Sequence, residues 1–126
     1  MRAVLLSAVT FTLLTIWTSN VLGARAPTPA EAHAIARNFG TVPARCLTIR
    51  VSTVNRRYAL TYFSYPTPRS CVRYGFNGIA LLERNGNSWK PIFEGSSYKC
   101  SEIHVASAVK RDLKIPGCSQ HRSKRH

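Results

Sequence analysis

The residues best suited to moving protons are four histidines, His33, His104, His121 and His126, and five carboxylates, Glu31, Glu83, Glu94, Glu102 and Asp112. Acid–base catalysis needs two such groups within hydrogen-bond reach of a substrate. Only Lys99, Glu102 and His104 bring the right types close together in sequence. That is the composition of a secreted ribonuclease site, in which a Glu/His pair transfers protons beside a cation. The spacing argues against it, because residues two apart do not share a helix face. The plainer reading makes Glu102 the cap of a final helix, with His104 at its start, and leaves ribonuclease-like hydrolysis as a third choice. Glycoside hydrolysis needs two opposed carboxylates ~5–10 Å apart, and five acids scattered over separate elements define no such pair. No Gly-x-Ser-x-Gly, no Gly-rich phosphate loop and no Cys-x-x-Cys or His-x-x-x-His spacing occurs, so neither a known hydrolase nor a metal motif is present. The expectation is a protein that is not an enzyme, with no catalytic residue, metal or cofactor.

Cys46, Cys71, Cys100 and Cys118 carry a different chemistry. Their meaning depends on compartment, and the first residues address that. Met1-Arg2 is followed by an uncharged, mostly apolar run over residues 3–22 and then by Gly23-Ala24. A basic start, an apolar core and small residues at Val21 and Gly23 make a signal peptide over 1–23, cleaved before Ala24. The rival is a retained anchor, since twenty residues at ~1.5 Å rise approach the span of a bilayer. Six polar residues among Thr10, Thr12, Thr15, Thr18, Ser19 and Asn20 dilute that run, and no basic stop-transfer cluster follows. In an oxidising compartment an even number of cysteines reads as two disulfides. Cys46–Cys71 would close the ends of a hairpin. Cys100–Cys118 would close a loop around a short helix, worth about 3 kcal/mol on the chain-entropy model. A strand-to-tail pairing such as Cys46–Cys118 stays open on spacing alone.

The formal charge is +13. Cleavage removes Arg2 and leaves seventeen of the eighteen Lys and Arg against five acids, a net +12. Most of these cations are arginine, which suits bidentate contact with phosphate or carboxylate. The candidate anion-binding residues are Arg56 and Arg57 at a hairpin tip, Arg69 and Arg73 in a Pro-rich loop, and Arg122, Lys124 and Arg125 in the tail. Tyr58, Tyr65 and Tyr74 interleave with them, which adds stacking to charge. The possible partners are an anionic envelope polymer, nucleic acid or an acidic protein surface. The alternative is a secreted interaction or inhibitor module that uses the 65–70 loop, stiffened by Pro66 and Pro68, since a rigid loop loses less entropy on docking. A solvated cationic surface with no specific ligand is the bland third possibility. A monomer is expected.

The elements that would position these residues follow from periodicity. Thr28 caps a helix over 29–39, with Glu31 in its opening turn, Ala32, Ile35 and Phe39 on one stripe and Gly40 at its end. Residues 24–29 read as a Pro/Ala linker. Residues 46–54 alternate, and 58–63 form a second strand. A two-residue turn at Asn55-Arg56 would set Val51 opposite Leu60 and Ile49 opposite Tyr62, leaving one face apolar and the other largely polar. Strands over 79–83 and 89–93 flank a turn at Asn85-Gly86. Pro91 places the last strand at an edge or a bulge, and Trp89 reads as a core anchor. Val105, Val109 and Leu113 mark a final helix, ended by Pro116-Gly117. The basic 119–126 segment reads as disordered. The fold class is α+β, an N-terminal helix and a short C-terminal helix on an antiparallel sheet of about four strands, stapled by disulfides. The divisions are a leader over 1–23, a linker and helix over 24–45, a disulfide-bonded domain over 46–118, and the tail.

One stretch has a family cadence: Gly86-x-x-Trp89-Lys-Pro-Ile-Phe-Glu-Gly95-Ser96, then Cys100, then Val109-Lys-Arg-Asp-Leu113 and Cys118. With Ser52-Thr-Val-Asn-Arg-Arg-Tyr-Ala59, it resembles small secreted proteins of actinobacteria that have no assigned activity. The resemblance covers roughly residues 46–118 and departs at Ile103-His104, where the family usually has a proline before the last helix. It implies a helix packed on an antiparallel sheet and a Cys100–Cys118 pair. It implies no reaction.

Overall fold

The structure is a computed structural model that describes residues 23–75 and 77–118. The apolar run over residues 3–22, and the segment with His121, Arg122, Lys124, Arg125 and His126, lie outside the described residues.

Helix α1 (Pro29–Ala36) starts where the sequence signals it. Thr28 Oγ1 accepts from the Glu31 amide, and Glu31 Oε1 accepts from the Thr28 amide, a reciprocal capping box. The helix tightens into a 3-10 turn over Arg37–Phe39, and Gly40 follows at φ 63°. Four strands then form a meander in the order β1-β2-β3-β4, all antiparallel: β1 (Leu47–Val51), β2 (Tyr58–Phe63), β3 (Ile79–Asn85) and β4 (Ser88–Gly95). Helix α2 (Ser107–Asp112) closes the fold and is shorter than its apolar stripe predicts. The α+β class with four strands and two flanking helices therefore stands.

The β1–β2 register differs from the expected one by a single residue. Val51 lies opposite Ala59, Arg50 opposite Leu60, and Ile49 opposite Thr61. Instead of a two-residue turn at Asn55-Arg56, the connection spans residues 53–57, and Ser52 N donates to the Tyr58 carbonyl at its base. Asn55 organises it: its side chain accepts from the Arg57 amide, and its carbonyl from Tyr58 N. The cause lies far away in sequence. Asp112, at the end of α2, accepts hydrogen bonds from Ser52 Oγ (2.7 Å), Thr53 N (2.8 Å) and Thr53 Oγ1 (3.1 Å), so the loop is built around a carboxylate sixty residues on.

A slip of one residue exchanges the faces of a strand. Both faces of the sheet are covered, rather than one apolar and one polar. On one side Ile35 and Ala36 of α1 pack with Leu47, Ile49, Val51, Ala59, Leu82 and Trp89. On the other, Leu60, Ile79 and Leu81 pack with Ile103, Val109, Leu113 and Ile115 of the C-terminal segment. Leu60, Leu81, Leu82 and Leu113 are fully buried, each worth roughly 1.5–3 kcal/mol in transfer terms. Trp89 is the core anchor expected of it. Pro91 sits on an edge strand and beside a bulge, where Leu81 pairs with Phe93 but Leu82 with Pro91. The β3–β4 loop is Gly86-Asn87, one residue later than the Asn85-Gly86 reading, with Gly86 first at φ 62°, as a type II′ hairpin favours.

Two further readings change. The supposed linker is docked, because Arg25 pairs with Val51 at the β1 edge and forms a two-point ion pair with Glu31 at 2.8 and 2.9 Å. Part of the Pro-rich loop coils into a 3-10 turn over Arg69–Tyr74. Both cystines form as favoured, Cys46–Cys71 with Cα atoms 5.5 Å apart and Cys100–Cys118 at 5.1 Å. Paired cysteines fit an oxidising environment. Among the described residues, no helix is long and apolar enough to cross a membrane.

Candidate anion-binding groove

A cavity of about 530 Å³ lies at one end of the sheet, on the face shared with α2. Its floor follows from register. Thr48, Tyr62, Ile79 and Gly95 form one cross-strand row, just beyond the Leu60–Leu81 row that α2 covers. Gly78 stands at φ 85°, and a Cβ there would run into the Gly95 carbonyl oxygen, so only glycine lets β3 enter the sheet this close to β4.

One wall is the Pro-rich loop with Ser64, Tyr65 and Thr67, and the other comes from Tyr98, Lys114 and Pro116. Tyr98 is a fixed part of that wall. Its ring meets Phe93 edge-on at 5.4 Å, and its hydroxyl donates to the Pro116 carbonyl at 2.9 Å. Burial raises the pKa of that phenol. Tyr65, by contrast, is 94% exposed.

Two cations border the groove, Arg50 from β1 and Lys114 from the turn after α2. The observed register puts Arg50 on this face, with its guanidinium carbon 5.8 Å from the Tyr62 ring centroid. Lys114 owes its place to the way α2 ends. Lys114 N donates to the Arg111 carbonyl and Ile115 N to the Lys110 carbonyl, the two bonds of a Schellman motif. Lys114 holds its left-handed position at φ 52°, the one positive φ outside glycine among the described residues. A non-glycine residue there costs about 1–2 kcal/mol. Its side chain is exposed and makes no hydrogen bond or ion pair among the described residues.

No carboxylate lines this groove. Glu31 and Glu83 are ion-paired, with Arg25 and Arg57 respectively. Asp112 holds the 53–57 loop. Burial raises its pKa, but the hydrogen bonds from Ser52, Thr53 and Val54 outweigh that and leave it below the ordinary value. Glu94 pairs with Ala80 in register and so belongs to the α1 side of the sheet.

The residues singled out from sequence are not brought together. Arg56 and Arg57 stay at the β1–β2 tip, where Arg57 is tied to Glu83 at 2.7 Å. Arg69 and Arg73 sit on the 3-10 turn, with Arg73 stacked 5.0 Å over Tyr74 and bonded to its hydroxyl. Glu102 does not cap the final helix. It accepts from Lys99 N at 2.7 Å and caps the 3-10 turn Cys100–Glu102 instead. His104 is exposed and has no hydrogen bond to Glu102, so the trio forms no proton-transfer unit. Among the described residues no group of three His, Cys, Asp or Glu could hold a metal. Sequence reasoning missed Arg50 and Lys114. The first was assigned to the wrong face with the register, and the second carries no signal except Pro116-Gly117 two residues on. Comparison with known proteins finds no matching family model, no similar curated protein and no similar solved structure.

Proposed function

We propose that this is an exported, non-enzymatic binding domain whose ligand is an anionic polymer at or beyond the cell surface. The observation that carries this reading is the internal use of the negative charge. Four of the five carboxylates are engaged with arginines or backbone amides. None of these contacts pairs a carboxylate with Arg50, Arg56, Arg69 or Lys114 among the described residues, and eighteen Lys and Arg outnumber five acids across the sequence. Such an imbalance attracts polyanions over a Debye length of about 8–10 Å at moderate salt.

Retention of the oxidised protein on immobilised heparin across a salt gradient tests this, with and without residues 119–126. Binding at low salt that weakens steeply as salt rises is expected. Negligible retention at low salt would refute the proposal. An elution point unmoved by removing the tail would assign the contacts to the folded surface.

A second reading, docking onto a protein, draws on Tyr65 at 94% exposure and Val72 at 64% on the segment tethered by Cys46–Cys71. Replacing Val72, which lies outside the groove, by serine would weaken capture by a protein partner while leaving heparin retention unchanged.

A further inference from the structure

We infer that the groove is a subsite for a single acidic sugar unit, a pyranose bearing a carboxylate, sulfate or phosphate, whose anionic group is met by Lys114 and Arg50. The inference rests on the anionic-polymer reading and names the unit of that polymer the domain would recognise. Four observations converge on it. The first is Lys114 itself. The Schellman turn needs a left-handed residue, and glycine or asparagine would supply it at less cost, yet a lysine stands there at φ 52° without a protein partner. A residue that breaks a local backbone rule with no gain in packing points to use of its side chain.

The second is Arg50, which approaches the same cavity from a different element and is held near the face of Tyr62 at 5.8 Å. Two cations with no carboxylate in the lining give the groove one sign of charge. The third is the set of neutral groups, Asn77 and Ser96 with Ser64 and Thr67, the last two hydrogen-bonded to the Thr48 hydroxyl and the Ser64 carbonyl but keeping acceptor capacity for ring hydroxyls. The fourth is the aromatic inventory. Among the described aromatic residues of the lining, Phe63 packs against the α1-side core, the Tyr98 ring is met edge-on by Phe93 and Tyr62 has Arg50 at its face, so Tyr65 offers the most open ring. One open ring can carry the C–H face of a sugar. It cannot sandwich a nucleobase, so a sugar is favoured over a nucleotide. At about 530 Å³ the cavity lies within the usual range for small-ligand sites.

The test titrates the full oxidised, isotope-labelled protein, followed by amide NMR, with a glucuronate-containing disaccharide, its carboxyl methyl ester, a sulfated disaccharide, glucose 6-phosphate and adenosine monophosphate. The expected result is a set of shifts confined to Tyr62, Tyr65, Asn77, Ser96 and Lys114, with the ester bound about tenfold more weakly than the acid. That factor corresponds to roughly 1.4 kcal/mol. The glucuronate, sulfate and phosphate arms show which anionic group is preferred. Lys114→Asn should weaken the acidic sugar several-fold while raising the thermal midpoint, because asparagine tolerates the left-handed position better. A purely structural role for Lys114 would not separate these two effects. Arg50→Gln should weaken binding similarly.

Equal affinity for acid and ester, unchanged affinity in Lys114→Asn, or tighter binding of the nucleotide at the same residues would overturn the inference. Heparin retention persisting alongside any of these would remove the subsite and leave the polymer reading intact. Groove-confined binding of the acidic disaccharide without heparin retention would do the reverse.

Discussion

Glu31 serves two purposes at once, closing the capping box with Thr28 and pairing with Arg25. The Arg25 hydrogen bonds lower its pKa from 4.5 to about 2, against the opposing effect of burial. A carboxylate with a depressed folded pKa adds stability in full above its unfolded value, which is lost as pH falls through the folded one. Asp112 is shifted in the same direction, so denaturant midpoints should drop between about pH 5 and pH 2. Glu31→Gln should flatten part of that drop and cost about 1–2 kcal/mol near neutrality, a modest figure because the Arg25 side chain is 37% exposed and partly screened. Thr61 presents the opposite case. Its hydroxyl is buried in the sheet with no hydrogen-bond partner, so Thr61→Val should stabilise by about 1 kcal/mol in chemical denaturation. The Thr28/Glu31 cap was legible in the sequence because both partners lie within one turn. The Arg25–Glu31 pair was not, because a Pro/Ala composition says nothing about where a segment docks.

At the scale of elements, glycine placement and loop chemistry decide how strands meet. Gly78→Ala should cost about 3 kcal/mol or more and lower the thermal midpoint sharply, since the new Cβ meets the Gly95 backbone at a positive φ and neither strand can retreat without breaking the ladder. Gly86→Ala puts a Cβ into open space and should cost only the left-handed penalty of about 1–2 kcal/mol. A smaller effect at position 78 than at 86 would contradict the close β3–β4 approach. The hairpin shows why alternation alone misplaced Arg50. Residues 46–54 and 58–63 alternate well in either register, and the choice was made by Asp112 gripping Ser52 and Thr53 from another element.

For the whole molecule, two covalent links brace a three-layer fold. Cys46–Cys71 ties the entry to β1 to the turn after β2, across 25 residues, and Cys100–Cys118 brackets the C-terminal layer across 18. Replacing Cys100 and Cys118 by serine should cost about 3 kcal/mol. It should also loosen the wall that Tyr98, Lys114 and Pro116 give the groove, so acidic-sugar binding should fail before the α1–sheet core unfolds, as hydrogen exchange at Ile35 and Leu82 would show. A protein whose groove binding survives this change would not need the cystine to hold the site. What the sequence by itself determined is what depends on neighbours in the chain: the capped helix, the strand segments, the Pro91 edge or bulge, the Trp89 anchor, the cationic balance and an even cysteine count, whose pairing it favoured while leaving Cys46–Cys118 open. Tertiary structure alone decided the hairpin register, the covering of both sheet faces and the placing of Arg50 and Lys114 at one cavity. Each of these turns on a contact between residues dozens of positions apart, and periodicity along a strand fixes which side chains alternate without fixing which partner they meet.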